Sequence, residues 1–290
     1  MFTETKVAGG EAGINLASGP AGGTPIVFLH GVGRAWQDFS SLGTALSERW
    51  HVHAIDFRGH GRSDRTPGRY LVTDYVRDVV TLVRDSICKP VILYGHSLGA
   101  MVAAGAAADL GSLVRGVVLE DPPFDTLGRK IRSTQFHGLF VGMRTLTGSQ
   151  ESIATVARQL GDLQLNPPDR PVPIRLGELR EPTSLRFMAA CLKLLDPEVW
   201  DPILAGHWLD GYEVPQVLAK ISCPVLLLHG NVGEGGMLDD QAAAEVQRRL
   251  ADCTRVRVPR AGHLIHQLES EMTLRLTGEF LESLALAGDL

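Results

Sequence analysis

Residues 91–110, VILYGHSLGAMVAAGAAADL, set a short apolar run, the pentapeptide Gly95-His96-Ser97-Leu98-Gly99 and an Ala-rich stretch in immediate succession. The first run reads as a buried strand and the stretch from Leu98 to Leu110 as a helix. A chain that passes from strand to helix within five residues turns so sharply that the flanking side chains must be absent, which is the task of the two glycines. Such a turn lifts the serine hydroxyl out at the helix N-terminus, a mount suited to a nucleophile. The five-residue string alone is weak; its place between strand and helix makes it strong.

The rest of the chain supplies the sheet that this unit needs. Gly9-Gly10 lies between two short runs and suggests a hairpin. Pro25 to His30, His51 to Asp56, Val117 to Leu119, Val225 to Leu228 and Arg255 to Val258 are further apolar or β-branched runs, and Trp36 to Trp50 reads as helix. Short apolar runs alternating with helical stretches imply an α/β fold with a mostly parallel, doubly wound sheet covered on both faces. Ligands on such sheets bind beyond the carboxyl ends of the strands.

Between Pro122 and about Pro215 the strand signal disappears, leaving a helical pattern broken by LNPPDRPVP, Leu165 to Pro173. A region this long is too large for a loop and is expected to be an inserted helical cap. The expected division is a core of residues 1–121 and 216–290 and a cap of 122–215. The cap holds Trp200 and Trp208, the candidates for the substrate-pocket wall, with His207 and Tyr212 beside them; aromatics at helical spacing serve equally as core.

Two more stretches follow strand runs and carry chemistry. His30-Gly31-Val32-Gly33 can aim a backbone N–H at a developing oxyanion, so the N–H groups of Val32 and Leu98 are the expected donors. The same tetrapeptide also serves as a plain glycine turn. Ala261-Gly262-His263 follows the last run and puts a base over the sheet's carboxyl edge, within reach of Ser97. His266 falls on the helix that comes next and is expected to be structural.

Taken in order, these motifs resemble the α/β-hydrolase fold superfamily, which also often shows the pattern present here as Asp56-Phe57-Arg58-Gly59-His60-Gly61-Arg62-Ser63. The resemblance runs the length of the chain and is weakest over 122–215. It implies that the DFRGHGRS stretch is a structural turn, so Arg58 and His60 are not nominated. Many members carry the triad's acid after the penultimate strand as Gly-x-x-Asp; here Gly230 is followed by Asn231, Val232 and Gly233, and Glu234 comes one residue late. Some relatives, including haloalkane dehalogenases and zearalenone lactonases, place the acid at the end of the strand after the nucleophile helix. Asp121 stands there and is the first choice, Glu234 the alternative and Glu120 third. Asp239 and Asp240 are expected to cap the helix that follows.

The resemblance implies a serine hydrolase of the ester or lactone type that works through an acyl-enzyme without a cofactor, on a small-molecule carbonyl substrate. A serine nucleophile disfavours the dehalogenase and epoxide hydrolase chemistries. Meta-cleavage carbon–carbon hydrolases, cofactor-free haloperoxidase-like enzymes and a non-catalytic ligand-binding protein on the same fold are the rival readings. A net charge of −5 and the lack of a Lys/Arg run argue against nucleic acid or an anionic membrane as partner. No signal peptide or spanning stretch is apparent, so a cytoplasmic protein is expected. The four cysteines are too far apart for a zinc or disulfide framework, and His51 and His53 have no ligand partner at suitable spacing, so no metal is expected.

Overall fold

Alternation along the strands sets the layers. In Pro25–Leu29, Ile26 and Phe28 pack on one side while Val27 and Leu29 pack on the other, and all four are buried. A strand that is apolar on both faces belongs inside a sheet covered twice. The computed structural model describes residues 1–124, 126–128, 130–166 and 172–288.

The chain runs β1 (Thr3–Gly9), β2 (Ala12–Ser18), β3 (Pro25–Leu29), α1 (Ser40–Leu46), β4 (His51–Asp56), α2 (Val72–Thr81), β5 (Val91–His96), α3 (Leu98–Leu110) and β6 (Val114–Glu120). It continues through α4 (Phe136–Leu146), α5 (Ile153–Asp162), β7 (Gln164–Leu165), β8 (Ile174–Arg175), α6 (Leu176–Leu179), α7 (Pro182–Leu194), α8 (Trp200–Ala205) and α9 (Val214–Lys220). It ends with β9 (Val225–His229), α10 (Asp240–Arg249), β10 (Cys253–Arg257), α11 (Ile265–Leu268) and α12 (Ser270–Ala287). The sheet order is β1-β2-β4-β3-β5-β6-β9-β10. β1 and β2 form the hairpin expected at Gly9-Gly10, β2 meets β4 antiparallel, and every pair from β4 onward is parallel. Residues of α1 and α12 close one face; those of α2, α3 and α10 close the other.

Among its described residues the stretch between β6 and β9 is mostly helical, and it also holds a short ladder. Gln164–Leu165 and Ile174–Arg175 pair as a two-residue antiparallel ladder. Two residues give no period to read, which is why the sequence did not disclose it. Of the Pro-rich segment Leu165 to Pro173, residues 167–171 lie outside the described residues. The stretch between β6 and β9 is fastened to the segment between β4 and α2 by polar contacts. The Tyr70 hydroxyl donates to Asp196 Oδ2 at 2.7 Å, Asp196 N–H to Gly59 O at 2.8 Å, and Trp208 Nε1–H to Tyr70 O at 3.0 Å. α9, starting at Val214, packs back onto α3.

Among the described residues, no helix is long and apolar enough to cross a membrane, and no three His, Cys, Asp or Glu side chains converge as a metal-binding set.

Candidate active site

The turn at Ser97 is as tight as its glycines suggest. A Cβ on Gly95 would lie 2.0 Å from Gly99 O, and one on Gly99 would lie 1.9 Å from Leu29 O, so neither position admits a side chain. Ser97 itself takes φ 55° and ψ −117°, an unusual conformation for a residue with a Cβ, which costs of order 1–3 kcal/mol. Its N–H donates to Glu120 O at 2.9 Å, tying the turn to the neighbouring strand.

β6 ends in a second strained residue. Asp121 N–H continues the ladder to Leu228 O at 2.8 Å, and its φ of 44° then swings the side chain across the end of β9. The carboxylate is fully buried, and four donors converge on it. They are Met237 N–H at 2.8 Å, Gly230 and Leu238 N–H at 3.3 Å each, and His263 Nδ1 at 2.6 Å. The loop after β9 therefore offers the site backbone amides, and the acid comes from β6. A Cβ on Gly230 would lie 2.2 Å from Gly262 O, and one on Gly262 would lie 2.0 Å from Glu234 O, so two glycines let this loop and the His263 loop touch.

With Asp121 accepting from Nδ1–H, the tautomer of His263 follows: Nε2 is the free, basic nitrogen. His263 is 14% exposed at its side chain and lines the same pocket as Ser97. Glu234 also lines that pocket but makes no bond to His263 among the described residues. Glu120, one residue before Asp121, goes elsewhere: it accepts from His266 Nδ1 at 2.8 Å, from His266 N–H at 3.0 Å and from the Tyr94 hydroxyl at 2.8 Å. His266 is buried, stacked on Phe39, and belongs to α11. Asp239 caps α10 by accepting from Ala242 N–H at 2.7 Å, while Asp240 lies in the first turn.

The loop after β3 supplies donors. Gly33 N–H is held by His60 Nε2 at 3.1 Å and Gly99 N–H by His30 O at 3.1 Å, whereas the N–H groups of Val32 and Leu98 have no acceptor among the described residues. Burial lowers His60 to about 3 and His30 to about 4, so both rings are neutral braces. His60 donates from Nδ1 to Arg58 O and receives Gly33 N–H at its other nitrogen; Arg58 grips Asp78 through two 2.6 Å bonds. The DFRGHGRS turn thus supports the loop rather than entering the pocket.

The pocket, a cavity of about 90 Å³, is lined by residues of both the sheet edge and the insertion. Trp200 and Trp208 are not brought to it. Trp200 is buried against Phe140 and donates to Thr147 Oγ1 at 2.8 Å, and Trp208 is sealed against the Tyr70 backbone. An apolar stripe on a helix does not say whether it faces a ligand or a core, and here it faces core. The residues that sequence reasoning missed are Arg34 and Arg180, which do line the pocket. Arg34 stands four residues before Asp38, a spacing that could have flagged the pair they form. Nothing in the helical pattern singles out Arg180.

A family model described as the alpha/beta hydrolase family matches residues 26–273. The chain is 28% identical to 2-(acetamidomethylene)succinate hydrolase of Mesorhizobium japonicum, over 97% of this chain and 96% of that protein. It is 27% identical to 3-hydroxybutyrate-oligomer hydrolase of Cupriavidus necator, over 84% of each. A solved structure of E-2-(acetamidomethylene)succinate hydrolase superposes with a TM-score of 0.76 at 25% identity, covering 97% of this chain and all of that one.

Proposed function

Because this chain belongs to the alpha/beta hydrolase family, we propose that it is a serine hydrolase that cleaves an ester or lactone through an acyl-enzyme on Ser97. The observation that carries the proposal is the 2.6 Å bond between His263 Nδ1 and Asp121 in a pocket that Ser97 also lines.

The steps follow from the atoms present. His263 Nε2 takes the Ser97 proton as Oγ bonds to the substrate carbonyl carbon. The N–H groups of Val32 and Leu98 receive the negative oxygen that forms. The carbon–oxygen bond to the leaving group breaks, and the imidazolium returns its proton to the departing oxygen. A water molecule, deprotonated by the same nitrogen, then attacks the acyl-enzyme and frees Ser97. Throughout, Asp121 orients the ring and offsets the imidazolium charge without taking the proton. In the same proposal the segment between β6 and β9 acts as a cap over the pocket, and the protein acts in the cytoplasm, in keeping with four unpaired cysteines.

A second reading, cleavage of an acyl amide, shares every one of these steps apart from the leaving atom. It is supported by the relative whose name refers to 2-(acetamidomethylene)succinate. Labelling with a fluorophosphonate, followed by turnover of p-nitrophenyl acetate, tests the common core. We expect a mass increase on the Ser97 peptide and turnover by the wild type, with both absent in Ser97→Ala; labelling and turnover that persist in Ser97→Ala would refute it.

A further inference from the structure

Most of the pocket wall beside Ser97 is apolar, with Phe136, Leu139, Met143 and Met188 on it. An uncharged acyl chain needs nothing more. Yet two guanidinium groups, those of Arg34 and Arg180, share that wall. A cation held among apolar side chains is costly unless something pairs with it.

Arg34 is 4% exposed. Its Nε and Nη2 edge is taken by Asp38, with Nε donating at 3.0 Å, and its guanidinium carbon stands 5.0 Å from the centre of the Phe187 ring. Nη1 is left buried with no partner among the described residues. A fork that has spent one edge on a carboxylate still presents the other, and that edge suits a second carboxylate. Arg180 gives Nη1 to Leu179 O at 2.9 Å and has no carboxylate partner among the described residues. Burial, with Arg34 nearby, pulls it down to about 10, as expected where two like charges share a space of low dielectric.

Around the pocket, Asp38 pairs with Arg34, Glu120 with the protonated His266, and Asp121 holds His263, which leaves Arg180 as the cation on the wall without a carboxylate beside it among the described residues. Glu234, the acid on the pocket lining, is exposed and makes no ion pair with either arginine among the described residues. An open groove shares Phe136 and Met237 with the pocket and carries Lys130 and Arg132 against one acid, Asp239. Such a surplus draws anions toward the opening.

We infer that this pocket receives an acyl substrate carrying a free carboxylate, bound by Nη1 of Arg34 and the guanidinium of Arg180. The inference rests on the hydrolase reading of the same pocket. A cavity of about 90 Å³ has room for a short chain, so the substrate class is a half-ester or half-amide of a short dicarboxylic acid. Hydrolysis consumes one water, breaks the carbonyl carbon's bond to the leaving oxygen or nitrogen, and releases a dicarboxylic acid with an alcohol or amine.

Binding is measured by calorimetry on the Ser97→Ala protein, with succinate and dimethyl succinate as probes, so the result does not depend on turnover. We expect succinate to bind, the diester to bind at least about tenfold more weakly, and Arg180→Gln in the same background to weaken succinate by about 10- to 100-fold. Arg34→Gln, checked for folding by circular dichroism, acts in the same direction. Failure of succinate to bind, equal binding of the diester, or a dissociation constant unchanged by Arg180→Gln overturns the inference. In parallel, kcat/KM of the wild type is compared for p-nitrophenyl acetate and mono-p-nitrophenyl succinate. Turnover of both with no preference for the succinate counts against the carboxylate site, whereas turnover of neither counts against the hydrolase reading and leaves the carboxylate site to the binding result.

Discussion

Glu120 and Asp121 are consecutive residues at the end of β6, and each meets a histidine from the stretch after β10, His266 in one case and His263 in the other. The two pairs share their chemistry and their backbone elements but differ in surroundings. Around His266, both ring nitrogens face carboxylates: Nδ1 is 2.8 Å from Glu120 and Nε2 is 3.7 Å from Asp38. Burial alone would lower His266, yet these two acids outweigh it and raise it to about 9; burial would raise Glu120, yet His266 holds it down to about 2. The pair is therefore fixed as ions across the physiological range. Around His263 a single nitrogen is tied, four donors occupy Asp121, and the other nitrogen is free on the side of the Ser97 pocket. A buried histidine bonded to one acid at Nδ1 and facing a second across Nε2 is a strut; one tied at Nδ1 alone, with Nε2 turned toward a pocket, is available as a base.

Removing each histidine in turn breaks the comparison most sharply. His263→Ala is expected to lower kcat by several orders of magnitude, up to about 10⁶, because Ser and His act as a unit. His266→Ala should lower it by about tenfold or less, through stability and packing rather than proton transfer. Comparable losses of kcat in the two folded variants would erase the distinction.

Stability should rank the pairs the other way. Glu120→Gln leaves His266 with one acid in a sealed site, and breaking a buried pair costs about 3–5 kcal/mol, to be read from denaturant unfolding. The pH dependence carries a sign. His266 rises from an ordinary 6.5 to about 9, so its contribution is complete below 6.5 and is lost as pH climbs through about 9. Glu120 falls from 4.5 to about 2, so its contribution is complete above 4.5 and is lost as pH drops toward about 2. The stability gap between the wild type and His266→Asn should thus be widest near pH 5 to 6 and narrow by about 3 kcal/mol by about pH 10. A gap that does not change over that range would mean that His266 is not held as a cation.

The smallest effect expected is that of Glu234→Gln. The side chain is exposed, and the loop that carries it contributes amides to Asp121 rather than an acid to His263. Its kcat on an uncharged ester should stay within about threefold of the wild type; a loss as large as that of His263→Ala would move the acid to Glu234.

The parts of the site that could be read in the sequence are those where backbone geometry leaves little choice. Gly95 and Gly99 touch carbonyl oxygens, so the serine turn has to be spelled with glycine. His263 could be located because the loop after the last strand leaves from the same carboxyl edge of the parallel strands as the Ser97 turn. Asp121 is readable as the first choice over Glu234 because it ends the strand after the nucleophile helix, and the structure brings Asp121 to His263. Side chains of the insertion were not legible, since Trp200 and a pocket residue such as Met188 produce the same helical stripe. Nor was the whole Arg34–Asp38–His266–Glu120 chain, whose members come from three separate stretches that meet only through folding.

The comparison of the adjacent acids is tested most directly by the burst-phase acylation rate on p-nitrophenyl acetate, measured side by side for Asp121→Asn and Glu120→Gln. Asparagine at 121 cannot hold His263 in the productive tautomer, so acylation should fall by about 10⁴-fold, while Glu120→Gln stays within about tenfold of the wild type. An Asp121→Asn protein that acylates at nearly the wild-type rate, beside a folded Glu120→Gln protein that does not, would contradict the account.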